Sequence, residues 1–167
     1  VFANRILNMI VETPGEFIYT LNTGVSEGLT DTLPALVNTN VSKASLYGFD
    51  FGFQYNFYSD FVLSGTGSYV RGKDTEAGTN LPQIPPLSGR LGIRYTNNRI
   101  GSAEMTLAGA SKQDKIAAGE KATGGYTRLD LTLSSARINV GRTMMQLFAG
   151  VDNITTRSYT NHLSTNR

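Results

Sequence analysis

The stretch LYGFDFGFQYNF, residues 46–57, alternates in chemistry with a period of two. The odd positions are all aromatic, and the even positions are mostly glycine, amide or carboxylate. The odd set comprises Tyr47, Phe49, Phe51, Phe53, Tyr55 and Phe57, and the even set comprises Leu46, Gly48, Asp50, Gly52, Gln54 and Asn56. Because successive side chains of a β-strand point to opposite faces, the pattern predicts a strand with one aromatic face and one polar face.

The same alternation recurs along the chain, with breaks between the alternating stretches. It predicts seven strands, at residues 1–12, 42–57, 61–71, 87–95, 102–111, 126–134 and 143–153. Long polar connections alternate with short turns, and the long ones lie at residues 13–40, 74–86, 112–123 and 154–167. A tight turn is expected near RINVGR, residues 137–142.

This order of connections is typical of bacterial outer-membrane barrels, which join antiparallel strands by short turns on one side and by longer loops on the other. Their strands direct apolar residues to lipid and polar residues to the lumen. We therefore predict an all-β antiparallel meander that forms part of a transmembrane β-barrel, about seven strands of a larger barrel. The alternative is a soluble β-sandwich, which shows the same alternation but buries its apolar face. A polar connection as long as 13–40 is unusual in such a compact domain.

Composition narrows the classes of function. Charged residues make up 17% of the chain, below the roughly 25% typical of soluble domains. The net charge is +2 and the Lys and Arg residues are scattered, which does not support a nucleic-acid partner. Cysteine is absent, so neither disulfides nor thiolate metal sites can form within this chain. No apolar run approaches the ~18 residues of a membrane-spanning helix.

Four segments, taken in order, resemble the C-terminal end of the barrel of TonB-dependent outer-membrane receptors. They are NVSKASLYGFDFGFQY from Asn40, LPQIPPLSGRLGIRY from Leu81, TGGYTRLDLTL from Thr123 and FAGVDNITTRSYTNHLS from Phe148. Each segment alone is a weak pattern. Their occurrence in the correct order makes the resemblance specific.

The resemblance implies a barrel of twenty-two strands, with a separate plug domain in its lumen and an N-terminal segment that contacts TonB. Residues 1–167 are then the C-terminal segment of the barrel, without the plug domain and the last strand. The expected location is the bacterial outer membrane. The expected partners are the TonB complex, reached through the plug, a metal-chelate ligand and outer-membrane lipid. We expect no enzymatic activity, no catalytic residue, no cofactor and no resident metal.

Candidate site residues form two groups. The lumen-facing group shares the polar face of successive strands and comprises Asp50, Gln54, Arg90, Arg94, Glu104, Arg128, Asp130 and Asp152. These residues either contact a plug or a substrate, or pair with one another and stabilise the barrel wall, and pairing is the favoured interpretation. The second group consists of loop residues that could contact a ligand, because binding residues concentrate on loops held by a rigid scaffold. It comprises Tyr19, Lys115, Tyr159 and His162, and His162, the only histidine, is expected to be solvated.

The function implied by the resemblance is active transport of a metal complex, with a ferric siderophore as the first expectation. The tripeptides QDK at 113–115 and NHL at 161–163 resemble copper receptors of the same family, so copper uptake is an alternative. A passive porin-like barrel and a soluble β-sandwich binding module are the other two alternatives. In such receptors both the outer loops and the plug domain determine which ligand is bound. Residues 1–167 alone therefore do not identify the cargo.

Overall fold

The computed structural model describes residues 1–21 and 29–164, and at positions 14, 19–21, 29–31 and 34 it describes the backbone alone. Nine strands account for its regular structure, and they have the following bounds: β1 Phe2–Leu21, β2 Leu29–Tyr58, β3 Phe61–Asp74, β4 Ser88–Asn97, β5 Gly101–Ala110, β6 Tyr126–Ser135, β7 Ile138–Val140, β8 Thr143–Met145 and β9 Phe148–Val151. No helix in the described ranges is long and apolar enough to cross a membrane.

Seven of the strands form one antiparallel sheet in the order β1-β2-β3-β4-β5-β6-β9, and β7 and β8 form a separate two-stranded sheet. Each strand of the large sheet pairs with its neighbour along the chain, apart from the small hairpin inserted before β9. The prediction of an all-β antiparallel meander with about seven strands is therefore confirmed.

From Ala44 of β2 to Val151 of β9, residues of equal parity share a face of the large sheet, because the register pairs odd with odd residues and even with even ones. Phe51 lies opposite Gly67, which lies opposite Gly89, and Arg94 lies opposite Glu104. The odd face is apolar and open: the exposed fraction is 55% for Phe51 and 47% for Met105. A soluble β-sandwich would bury this face. The open apolar face therefore disfavours the β-sandwich alternative.

The aromatic residues of β2 are held in place by glycines of β3. The ring of Phe51 covers Gly67 and the ring of Phe53 covers Gly65, so closely that a Cβ at either glycine would overlap the ring. The two rings stack with centroids 6.3 Å apart and an interplanar angle of 9°. Glycine on one strand therefore makes room for the phenylalanine on the next.

The predicted loop at 13–40 is wrong for residues 13–21 and 29–40, and its central part, residues 22–28, lies outside the described residues. Strand β1 continues to Leu21 and β2 already begins at Leu29, in an unbroken antiparallel register. The Thr13 and Thr39 hydroxyls are hydrogen-bonded at 2.8 Å across this hairpin. Threonine, glycine and asparagine were interpreted as loop signals, whereas Thr, Val, Ile and Phe, which also occur in this segment, favour extended backbone. Because β3 ends at Asp74, opposite Ala44, the hairpin continues well beyond the rest of the sheet.

The single strand predicted at 143–153 is also wrong in part. Residues Ile138–Val140 and Thr143–Met145 form the β7–β8 hairpin around Gly141, whose φ of 62° suits a tight turn. The main sheet resumes only at Phe148. The turn predicted near 137–142 lies within this hairpin, between its two short strands.

The described part of the chain has a small buried core, and it lies where a loop folds onto the sheet. Leu81 and Ile84, from the loop at 75–87, pack with Val11, Val41 and Ala44. Gly72 provides the room for this loop, because an added Cβ there would come within 2.6 Å of Ile84 Cδ1. The core thus fixes one long connection against the middle of β1 and β2, beside the end of β3.

Candidate functional site

Three long connections meet at one end of the large sheet: residues 75–87, 111–125 and 152–164. The first two are joined by side-chain amides. Gln113, which is buried, donates from Nε2 to the Ile84 carbonyl at 2.7 Å, and Asn80 donates from Nδ2 to the Ile116 carbonyl at 2.9 Å. These contacts hold the first two loops together. We call the three connections together the loop cluster.

A carboxylate also ties the first two loops. Glu120 accepts hydrogen bonds from the backbone N–H of Gln83 at 2.7 Å and of Ala117 at 2.9 Å. One side chain therefore closes its own loop and reaches the neighbouring one.

The third connection joins the loop cluster through His162. Its Nδ1 lies 3.1 Å from the Thr123 hydroxyl, and the residue is only 2% exposed. The expectation of a solvated His162 is therefore wrong, because the terminal segment folds back onto the 111–125 loop.

The predicted lumen-facing residues lie at even positions, on the polar face. Across β4 and β5, Arg94 donates from Nη2 and Nε to Oε2 of Glu104, at 2.6 Å and 2.9 Å. Ser68 donates to Asp50 Oδ1 at 2.6 Å across β2 and β3. Both contacts join facing residues of adjacent strands, which is the pairing expected to stabilise a wall.

Asp130 is the buried carboxylate of this face, with 6% of its surface exposed. Its Oδ1 accepts the backbone N–H of Asn153 at 2.9 Å, and its Oδ2 lies 3.2 Å from Arg128 Nε. Asn153 has a φ of 53° and follows the end of β9. Asp130 therefore fixes the point at which the chain leaves the sheet and enters the loop cluster.

A groove of about 680 Å³ opens on the polar face beside this point. Tyr126 and Tyr159 stack on one side of it, with ring centroids 4.1 Å apart, and Arg128 Nη1 donates to the Tyr159 hydroxyl at 3.3 Å. Arg90 lines the same groove, two strands away from Arg128, with Ala108 of β5 between them in the register. Within the described residues Arg90 has no hydrogen bond or ion pair, and it is exposed.

The sequence analysis missed several groove residues, and two of them lie beside the stacked tyrosine and the arginines. Tyr126 and Asn161 line the groove but were not among the candidates. Tyr126 carried a usable signal, because it is the first residue of an alternating strand and shares parity with Arg128. Asn161 carried none, since its position depends on how the terminal segment folds back.

The remaining candidates are more dispersed. Gln54 lines a second, smaller groove on the polar face with Arg90 and Glu104, and Asp152 is exposed just after β9. Lys115 lies in the 111–125 loop and is exposed. Tyr19 belongs to β1 by its backbone, and its side chain lies outside the described part of the structure.

The loop cluster carries one perturbed ion pair. Lys112 Nζ lies 2.8 Å from Asp114 Oδ2. The hydrogen bond from Lys112, and then its charge, lower the pKa of Asp114, and the same contact raises the pKa of Lys112. Both groups are exposed, so the pair orients the loop base and contributes little to stability.

For metal binding, the described residues contain no group of three or more His, Cys, Asp or Glu side chains placed to hold an ion. The groove instead combines two guanidinium groups and two phenol rings with the carboxylate of Asp50, which accepts a hydrogen bond from Ser68. Guanidinium groups bind carboxylates and other anions through paired N–H donors, and phenol rings offer flat apolar surface. The arrangement suits an anionic ligand with planar parts.

Comparison with known proteins gives a consistent result. The model of the family described as TonB dependent receptor-like, beta-barrel matches residues 1–154. Among solved structures, 32 chains match, and one of them is the copper transporter OprC, with a TM-score of 0.75 and 25% sequence identity. That match covers 96% of this chain and 23% of OprC, so the chain spans about a quarter of that protein's length. No curated protein sequence matches.

Proposed function

Because the chain belongs to the TonB-dependent receptor family, as part of its β-barrel, we propose that it forms one wall of a transporter that imports a metal complex, in the first place a ferric siderophore. Barrels of this family lie in the outer membrane of Gram-negative bacteria. The rest of the barrel, the plug domain and the segment that contacts TonB belong, in this proposal, to the same longer protein. No covalent chemistry is needed, since binding and plug movement suffice for transport.

The observation that carries the choice of cargo is the groove with Arg90 and Arg128 beside the stacked tyrosines. A metal chelate presents anionic oxygen atoms around its metal and flat organic surface outside it. Arg90 is the group best placed to meet such an anion, because no described residue already occupies its guanidinium group. The Arg128 guanidinium group already contacts the Asp130 carboxylate and the Tyr159 hydroxyl, and these contacts fix its position beside Arg90.

Copper is the second candidate cargo, and a specific observation favours it. The matched structure is named a copper transporter and is 25% identical over nearly the whole of this chain. The segments QDK and NHL both lie in the loop cluster, where Gln113 and His162 are buried. In this alternative the loops, and not the arginine groove, would determine the cargo.

The test is uptake by the full-length receptor, expressed in Gram-negative cells that lack their own siderophore and copper receptors. We expect iron-55 bound to a siderophore to accumulate only in cells with functional TonB. Arg90→Gln should weaken binding of the ferric complex by about 10-fold or more, because a hydrogen bond to a charged group contributes roughly 1.5–3 kcal/mol. Arg99→Gln is the matched control, since Arg99 is exposed at the short turn between β4 and β5.

Three results would contradict the proposal. Copper-64 uptake without ferric-complex uptake would establish copper as the cargo. Uptake that persists in cells lacking TonB would indicate a passive barrel. Equal loss of binding in the Arg90 and Arg99 variants would show that the arginine groove does not bind the ferric complex.

A further inference from the structure

We propose that the β1–β2 hairpin binds an extended, cationic polypeptide segment, which pairs with β2 as an additional strand. The pairing site is the edge of β2 from Leu33 to Ser42, and we call it the open edge. This inference goes beyond the proposed transport function and rests only on the chain being part of an outer-membrane barrel. The partner is a basic protein or peptide outside the cell, and it is distinct from the transported complex.

The open edge exists because β2 is longer than the strand beside it. β3 ends at Asp74, which lies opposite Ala44, and the Thr75 N–H donates to the Lys43 carbonyl at 2.9 Å just beyond this point. Among the described residues, no backbone hydrogen bond joins positions 33–42 to a strand other than β1. Alternate residues of a strand direct their N–H and C=O groups to opposite sides, so about five residues of the open edge direct these groups away from β1.

The open edge lies outside the membrane. The aromatic stretch of β2 runs from Tyr47 to Phe57, and ten residue steps at about 3.3 Å each give roughly 33 Å along the strand. A strand tilt of about 40° makes this about 25 Å across the membrane, which is the height of the apolar band of such barrels. Residues 33–42 lie beyond this band, at the end of the sheet where the loop cluster lies.

The base of the hairpin is fixed, so the open edge is preorganised. Val11 of β1 and Val41 of β2 are buried in the small core beneath the 75–87 loop. Beyond Met9 the register between the two strands is unbroken. A strand that is already extended loses less conformational entropy when it binds than a flexible loop would.

The composition of the open edge favours strand addition. Natural edge strands are blunted by charged side chains, especially lysine, which disfavour pairing with another chain. The sequence of the open edge, LPALVNTNVS, contains no charged residue, and Pro34 near its far end is its one residue without a backbone N–H. A partner strand can therefore pair along residues 35–42 through main-chain hydrogen bonds.

The charge of the hairpin determines the kind of segment that fits. From Ile6 to Ser42 the sequence contains four acidic residues and no Lys, Arg or His. Glu12 and Glu16 are exposed and share a face of β1, and neither forms an ion pair with a described residue. An added strand would lie beside β2 and about 10 Å from β1. The long side chains of Lys and Arg can extend across β2 toward the two carboxylates.

The opposite face of the hairpin carries exposed apolar side chains. Phe17 lies opposite Leu33 in the register, and Val37 lies further along the same face, opposite Thr13. Phe17, Leu33 and Val37 are all exposed. Because successive side chains of a strand alternate between faces, the matching segment has basic residues at every second position and apolar residues between them.

The test measures binding of synthetic peptides to the full-length receptor, purified in detergent, by fluorescence anisotropy. The probe is a labelled ten-residue peptide of alternating lysine and valine. One control peptide has the same sequence with its backbone nitrogens methylated, which removes the N–H donors but keeps the charges. A second control peptide alternates glutamate and valine. We expect both control peptides to bind at least about tenfold more weakly than the probe, because they lose main-chain hydrogen bonds or reverse the charge.

Variants of the receptor test the role of the hairpin. Glu12→Gln with Glu16→Gln should weaken binding of the lysine–valine peptide by about tenfold, since each exposed ion pair changes an equilibrium by about threefold. The matched control is Asp60→Asn with Glu76→Gln, two exposed acidic residues outside the hairpin, which should retain wild-type binding. Far-ultraviolet circular dichroism checks that the variants fold.

Equal binding of the lysine–valine peptide and its methylated form would overturn the proposal, because attraction between charges would then explain binding without an added strand. Equal loss in the hairpin and control variants would also overturn it. Absence of binding would do the same, since the open edge would then be covered by another part of the receptor or by a second copy. Uptake of the metal complex should be unchanged in the hairpin variants, so failure here is distinct from failure of the proposed transport function.

Discussion

At the residue scale, Asp130 links the polar face to the loop cluster. It is nearly fully buried, and its two oxygens serve different partners, the Arg128 guanidinium group and the Asn153 backbone. A buried carboxylate is costly unless it is paired and hydrogen-bonded. Asp130 meets both conditions, and in doing so it orients an arginine that lines the groove.

Replacing Asp130 with Asn should lower the free energy of unfolding by about 1–3 kcal/mol. The amide retains an acceptor for the Asn153 N–H but presents N–H donors to the Arg128 guanidinium group, which has only donors. The measurement is equilibrium urea unfolding of the full-length receptor in phospholipid vesicles. Asp60→Asn, at the exposed turn between β2 and β3, should change stability by less than about 0.5 kcal/mol. A similar change in both variants would show that the buried contacts of Asp130 do not contribute to the free energy of unfolding.

The position of Asp130 could be predicted from the sequence, but its partner could not. Period-two alternation assigns it to the polar face together with Arg128 and Asp152. The contact with Asn153 depends on the left-handed backbone that ends β9, and on the hairpin inserted before that strand. Neither feature changes the alternation of β6, so the residue pattern carries no information about them.

At the element scale, the loops at 75–87 and 111–125 behave as one unit. The bond from Gln113 to the Ile84 carbonyl is the buried contact between them. We expect Gln113→Ala to leave that carbonyl without a partner at a cost of about 1 kcal/mol. Amide hydrogen exchange in both loops should then accelerate together by about fivefold.

Hydrogen exchange followed by mass spectrometry measures this directly, and Gln146→Ala is the matched control. Gln146 Nε2 donates to the Ser135 carbonyl at 3.1 Å, in an exposed contact at the other end of the sheet. Its loss should leave the loop exchange rates unchanged. Acceleration in the 111–125 loop alone would contradict the single-unit account.

Strands were easier to predict than the connections between them. The strong alternation of β4, β5 and β6, and of β2 from Leu46 onward, sets strand positions because polar residues are confined to one face of each stretch. The extension of β1 to Leu21, and of β2 back to Leu29, was missed because apolar residues there are interspersed with Thr, Gly and Asn, and Gly and Asn usually mark turns. Hydrogen bonding between β1 and β2, which continues beyond the end of β3, keeps the described part of that segment extended.

At the scale of the whole molecule, the two faces of the sheet have opposite environments. The Arg90–Arg128 groove and the Arg94–Glu104 pair lie on the polar face and the loop cluster lies at its end, while the odd face exposes aromatic and aliphatic side chains across the large sheet. In water this much open apolar surface would drive association. In a bilayer it is the surface that meets lipid, and this is the central claim about the molecule.

The most direct test of that claim is fluorescence quenching at single introduced cysteines, a simple design because the chain itself contains none. Phe53→Cys and Leu107→Cys place a fluorophore on the odd face, and Gln54→Cys and Ala108→Cys place it on the adjacent even positions. A cysteine-free full-length receptor, reconstituted in vesicles that contain nitroxide-labelled lipid, should show strong quenching at positions 53 and 107 and weak quenching at 54 and 108. Equal quenching within each pair, or stronger quenching at the even positions, would contradict the assignment of the aromatic face to lipid.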